Sequence, residues 1–249
     1  VSLALGSALQ SEYEAPGASD FWQPLIGEGA FAVTRASIVM VLSVVAISWV
    51  LLRATRTLAV VPSRGQVMTE MLYGMIRNST ARDVIGSKDF LRYTPLLFTM
   101  FVLILVNNLL GVIPPVQYPT MSRVAFPTVL ALVVFVLFHV VGIRKHGLGA
   151  YFGSFVPKGL PKAILPLLYP LELVTQFFTR PVTLALRLFG NMFAGHLLLV
   201  LFITGGEYLL LESGGLGLKA AGVLTFGMAF VLTLFEILVE FLQAYVFVL

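Results

Sequence analysis

Thr183-Leu-Ala-Leu-Arg187-Leu-Phe-Gly-Asn191-Met-Phe-Ala-Gly-His196 sets a permanent cation, an amide and an imidazole inside an apolar run long enough to cross a bilayer. A guanidinium cannot shed its proton to escape a low dielectric. An ionisable side chain within a membrane is costly and by default marks an ion pathway or a paired counter-charge. The ordinary alternative is an arginine whose head group snorkels to the interface. The remainder of the chain decides between them.

Of the 249 residues, 58% are hydrophobic and only 11% are charged, against roughly 25% charged in a soluble domain. Apolar runs at residues 36–52, 94–112, 126–143, 182–210 and 218–249 come close to or exceed the roughly 20 residues of a membrane helix. The absence of cysteine removes disulfides, thiolate catalysis and Cys-based metal sites. No basic stripe is interleaved with aromatics, so the net charge of +4 does not point to nucleic acid. No metal or other cofactor is implied.

Residues 1–33 carry Glu12, Glu14, Asp20 and Glu28 and no Lys or Arg, and read as an irregular, extracytoplasmic tail. Arg53, Arg56, Arg64, Arg77, Arg82, Lys88 and Arg92 crowd the segment after the first span, and Arg144, Lys145, Lys158 and Lys162 the segment after the third. Basic segments stay in the cytoplasm, which puts the N-terminus outside and the C-terminus inside. The piece at 164–179 contains Glu172 and is expected to stop at Arg180-Pro181, as a helix entering the membrane or lying along its edge. The expected fold is an all-α polytopic membrane protein. It has about five full crossings plus a membrane-edge helix, and residues 34–249 form one transmembrane domain whose functional core is the hairpin 182–249. The start at Val1 and the end at Leu249 within an apolar run read as truncations.

The final hairpin is unusually long. Residues 182–210 would extend roughly 43 Å, against a hydrocarbon core of roughly 30 Å. A strong tilt would accommodate that length and lay a helical face against a partner. Folding the two helices about Gly214–Gly215 sets Arg187 beside Gln243 and His196 near Glu236. Glu236, Glu240 and Gln243 follow i, i+4, i+7 and share a face, as do Arg187 and Asn191. Two polar levels result, one of Arg187, Asn191 and Gln243 and another, nearer the outside, of His196 with Glu236 and Glu240, the expected proton pathway. An imidazole–carboxyl pair suits proton relay, although His196 and Glu236 could equally satisfy one another and lock the hairpin. Gly190, Ala194 and Gly195 permit close helix packing.

The run Leu186-Arg187-Leu-Phe-Gly-Asn191-Met-Phe-Ala-Gly-His196 resembles the subunit a family of F-type ATP synthases, called subunit 6 in mitochondria. Leu242-Gln243-Ala-Tyr-Val-Phe, Asn108-Leu-Leu-Gly-Val-Ile-Pro114 and Pro181 extend the likeness, which runs from about residue 36 to the end. The resemblance implies a stator packed against a rotating ring of c subunits, with subunit b of the peripheral stalk, the rest of the ATP synthase, membrane lipids and protons as partners. Catalysis would belong to the assembled proton-transporting ATPase. Arg187 would attract each ring carboxylate in turn and separate two proton half-channels. His196, Glu236 and Asn108 would line the outer one, with Asn191 and Gln243 near the arginine and Glu172 on the inner one. The composition and long acidic tail point to a bacterial plasma membrane over the mitochondrial inner membrane.

Three departures from the family pattern stand out. Some members carry an acid at the position of His196 and a histidine at that of Glu236, the reverse of this chain. Some have an aspartate in place of Gly111, whereas this chain has an additional acid at Glu240. Glu172 also stands one residue further from Pro181 than the family spacing. A stand-alone secondary transporter is disfavoured, since neither an internal repeat nor paired broken helices are visible. In a non-conducting scaffold, Arg187 would be an ion-pair staple.

Overall fold

The computed structural model describes residues 17, 24–27, 33–56, 60–86, 89–113, 118–155, 164–211 and 215–249. A short antiparallel ribbon, β1 (Pro24–Ile26) and β2 (Val33–Thr34), precedes the helices, within and just beyond the segment expected to be irregular. The acidic residues of the tail, together with Lys88, Pro114, Pro115, Lys158, Lys162 and Glu212, lie outside the described residues.

The helices are α1 (Arg35–Thr55), α2 (Arg64–Met75), α3 (Phe90–Val112), α4 (Ala125–His146), α5 (Leu148–Gly153), α6 (Leu165–Val174), α7 (Arg180–Leu211) and α8 (Leu216–Val248). Among the described residues, five helical runs are long and apolar enough to cross a membrane: α1, α3, α4, the continuous run Leu165–Leu211, and α8. The chain is a multi-pass integral membrane protein.

Two expectations are corrected. The basic segment after the first span is not simply a loop, since α2 fills much of it and continues as a π-helical stretch, Ile76–Ile85. Ser63 caps α2, its Oγ accepting the Gln66 N–H at 3.4 Å. The pattern Ser63-Arg-Gly-Gln66 is that of a capping box, and it was legible. Here, however, the Gln66 side chain reaches forward to Glu70 Oε1 at 2.7 Å.

The second correction concerns Arg180-Pro181, which does not end a helix. A π turn, Thr175–Thr179, joins α6 to α7, and the helical run spans 47 residues. Proline removes a donor, but a wider turn and side-chain hydroxyls can absorb the loss. The Arg180 N–H reaches back to the Thr175 carbonyl. The Thr183 hydroxyl donates to the carbonyls of Thr179 at 2.6 Å and Arg180 at 3.0 Å.

The chain forms two compact units, Val1–Thr120 with Asn191–Leu249, and Met121–Gly190, with the boundary inside α7. In the first, α3 is the hub. Phe101, Ile104, Leu105, Asn108 and Val112 form its buried stripe at helical spacing. Phe101 meets Phe241 of α8 edge-on, with ring centroids 5.9 Å apart. Phe98 does the same with Tyr73 of α2 at 5.5 Å. The link to α1 is polar: Ser43 Oγ donates to Asn107 Oδ1 at 3.0 Å, and Thr120 Oγ1 donates to the same oxygen at 3.2 Å. Asn107 is fully buried and returns its own N–H to the Leu103 carbonyl at 2.8 Å.

Glycines bring α7 and α8 together. A methyl group on Gly206 would meet the Phe226 ring, and one on Gly222 would meet Leu209 and Leu210. Small residues let membrane helices approach closely where no hydrophobic drive separates helix from lipid.

In the second unit, Gly147 (φ +78°) ends α4 in a conformation that favours glycine and turns the chain into α5. Tyr151 of α5 then packs on Gly142. Around His139 gather Phe135, Phe138, Tyr151 and Phe177, with ring centroids 4.1–5.8 Å from the imidazole.

Asn107→Leu removes an oxygen that two hydroxyls share, at a cost of about 1–2 kcal/mol. It should lower the unfolding temperature of the detergent-solubilised complex, read by scanning fluorimetry. An unchanged melting curve would show that this network carries no stability.

Candidate functional site

The candidate pathway residues of the first unit, Asn108, Asn191, His196, Glu236, Glu240 and Gln243, lie on α3, α7 and α8. On α8, Glu236, Glu240 and Gln243 are all buried, within one stripe that continues through Ala244, Phe247 and Val248. Their i, i+4, i+7 spacing produces that shared face.

Gln243 Oε1 accepts a hydrogen bond from Asn191 Nδ2 at 2.8 Å, joining α7 to α8. The hairpin count places Arg187 opposite Gln243, so the observed partner lies four residues further along α7. The inter-helix contacts (Asn191 with Gln243, Gly195 with Glu236, Gly206 with Phe226, Leu210 with Gly222) are centred at about residue 216. The crossing therefore falls at the start of α8 and not at Gly214–Gly215. Glycine composition located the turn without fixing which residue was its pivot.

Glu236 turns its carboxyl onto Gly195, where a methyl group would stand 2.6 Å from Oε1. Only glycine leaves room for that carboxyl against the backbone of α7. His196, the next residue, is buried, and its ring hydrogen-bonds with the backbone of Gly111 on α3. Gly111 also receives the tip of Met192. Gly111 is thus a helix contact in this chain. Asn108, one turn before Gly111, is buried with its Oδ1 unclaimed.

A cleft of about 250 Å³ opens between α7 and α8, lined by Asn191, Gly195, Leu198, Leu232, Phe235 and Glu236, among others. Its walls are largely apolar, and the Glu236 carboxyl and the Asn191 amide are the polar groups along it. That combination offers little to recognise a larger solute.

Glu240 is 4% exposed, and neither carboxyl oxygen has a hydrogen-bond partner. Gln243 Nε2 is likewise unclaimed.

In the second unit, Arg187 is exposed on α7. Glu172 Oε1 accepts from Gln176 Nε2 at 3.0 Å, one helical turn away. Gln176 is buried with its own Oε1 unclaimed. Sequence reading missed Gln176, although a Gln four residues after a Glu on a helix is a recognisable pair. It also chose Asn108 over the adjacent Asn107. The two are equivalent in sequence, and only packing reveals that the second is saturated. Among the described residues, no three His, Asp or Glu side chains gather as metal ligands would.

The family model described as ATP synthase A chain matches residues 37–249. The chain is 44% identical to ATP synthase subunit a of a Nocardioides species over 246 residues, covering 94% of this chain and 88% of that protein. It is 40% identical to the subunit a of Pseudarthrobacter chlorophenolicus over 251 residues, covering 100% of this chain and 94% of the relative. With the subunit a of Streptomyces lividans the identity is 36% over 244 residues, covering 95% and 84% respectively. Matches of this extent and identity, on a chain of five apolar helical runs, show that it belongs to the ATP synthase A chain family.

Proposed function

We propose that this chain is the proton-conducting stator subunit of an F-type ATP synthase, working against a ring of c subunits and held by subunit b of the peripheral stalk. The observation that carries the reading is Arg187: a cation that cannot be neutralised, exposed on a helix within a 47-residue apolar run, in a member of this family. An exposed arginine in lipid is costly and calls for a partner outside the chain. A ring carboxylate arriving from the side supplies one.

In this mechanism Arg187 stabilises each passing carboxylate in its ionised form. A proton cannot ride past the cation, so it leaves the ring through one half-channel and the next enters through the other. The transmembrane potential drives the exchange at roughly 2.3 kcal/mol per charge per 100 mV, and several protons sum to support ATP synthesis. On the outer side, protons enter through the cleft that Glu236 and Asn191 line, and His196 and Asn108 belong to the same route. The Asn191–Gln243 bond holds α7 to α8 at that cleft. Glu172, steadied by Gln176, serves the inner side. The orientation follows the basic segments, with the N-terminus outside and the C-terminus in the cytoplasm of a bacterial cell.

Arg187→Ala should abolish ATP-driven proton pumping in inverted vesicles while the assembled complex remains in the membrane. Coupled pumping at the parent rate would refute the stator reading, and loss of assembly would favour a purely structural arginine.

Gly195→Val should push the Glu236 carboxyl off the α7 backbone and slow proton uptake from the outer side. Reconstituted complexes carrying a pH dye can report it. If uptake is unaltered, the carboxyl's seat on Gly195 has no part in conduction.

A further inference from the structure

The geometry points to Glu240 as a relay carboxyl that takes the proton from Glu236 and passes it along α8 toward the Asn191–Gln243 level. This assignment rests on the stator reading and gives the outer route a station on the buried face of α8, off the lining of the cleft.

From Glu236 to Gln243 is seven residues, about 10 Å along the helix axis. A proton moves between groups in hydrogen-bond contact or through one water, so that span is too long for a single transfer. Glu240 divides it. Residues four apart on a helix are neighbours, about 5–6 Å between Cβ atoms, and the two carboxyl groups are close enough to interact electrostatically. The remaining step to Gln243 is three residues, again on the same face.

Asn107 has its contacts filled by its surroundings, and such side chains hold a fold together. Asn108, Gln176 and Gln243 each leave one buried atom unclaimed, whereas Glu240 is a buried acid that leaves both. Glu240 is almost fully buried with both oxygens unclaimed. Buried polar atoms are usually paired, and those that are not call for an explanation. An unpaired carboxyl contributes nothing to packing that leucine would not. It does offer an acceptor when ionised and a donor when protonated.

In the transfer, the O–H bond on Glu236 breaks as one forms on a Glu240 oxygen. The electron pair stays on the Glu236 carboxylate, which is reprotonated from the cleft. Glu240 then releases its proton through water at the Gln243 level to the ionised ring carboxylate, where a new O–H bond forms, and returns to the ionised form. No oxidant, reductant or other reactant is involved.

The test uses the whole complex in proteoliposomes, with proton flux driven by an imposed potential. Glu240→Gln keeps size and polarity but cannot carry the proton. It should cut the flux by about a hundredfold, the low end for loss of a proton-transferring group. Glu240→Asp should retain clearly more flux than Glu240→Asn. That comparison holds even if shortening the side chain weakens assembly, because both variants share the defect. Equal flux in these two, or parent-level flux in Glu240→Gln, overturns the relay. Glu236→Gln and Arg187→Ala, measured alongside, separate the relay from the stator reading beneath it. If they fail while Glu240→Gln conducts normally, the relay is wrong and the stator reading stands. If they too conduct normally, the stator reading itself is wrong.

Discussion

Lipid offers no hydrogen bonds, so each polar group on a spanning helix must find a partner in the protein, and this constraint sorts the side chains of the structure. Threonines solve it locally, the hydroxyls of Thr94, Thr99, Thr128, Thr225 and Thr233 each returning to the carbonyl four residues earlier. Asn107 solves it between elements, collecting Ser43 and Thr120 on one oxygen. Asn191 and Gln243 solve it between helices. Groups without such a solution include Asn108 Oδ1 and the Glu240 carboxyl. Satisfied groups build the scaffold, and the others are where chemistry is to be sought.

Close approach is the second half of the design. Glycines let α7 and α8 come together so that a carboxyl can rest directly on backbone at Gly195 and a phenyl ring at Gly206. The buried stripe of α3 gives the first unit a rigid spine, which α8 meets through Phe241. The polar face of α8 is itself part of a buried stripe. Rigid helices hold side-chain positions better than loops do, which matters where a proton must pass between groups.

Much of this was legible in the sequence, because membrane spans obey a simple length rule. Residues 36–52 became Arg35–Thr55, and 126–143 became Ala125–His146. The hairpin's depth levels could be counted to within about one turn, since an antiparallel helix pair needs only a pivot. The pivot itself was out of reach, because the glycines and serine in the connection leave its position open. Charge hid α2, since the positive-inside rule reads topology and is blind to a helix within a basic segment, even one announced by Ser63 and Gln66. Proline misled at residue 181, because its missing donor is decisive only where nothing nearby can compensate. The wider turn before it keeps the Arg180 N–H bonded to the Thr175 carbonyl, and the helix runs on. The difference between Asn107 and Asn108 cannot be written in a local pattern, since it depends on Ser43, 64 residues away.

The π turn at Thr175–Thr179 lies between Glu172 and Arg187 on one continuous helical run. In an unbroken α-helix, steps of about 100° per residue would fix the angle between two side chains by their spacing alone. The i→i+5 bonding of a π turn winds the chain less per residue, so the direction in which Arg187 leaves the helix relative to Glu172 is set in part at these five residues. The turn therefore acts as an angular adjustment between the acid and the cation, made without breaking the helix that carries both.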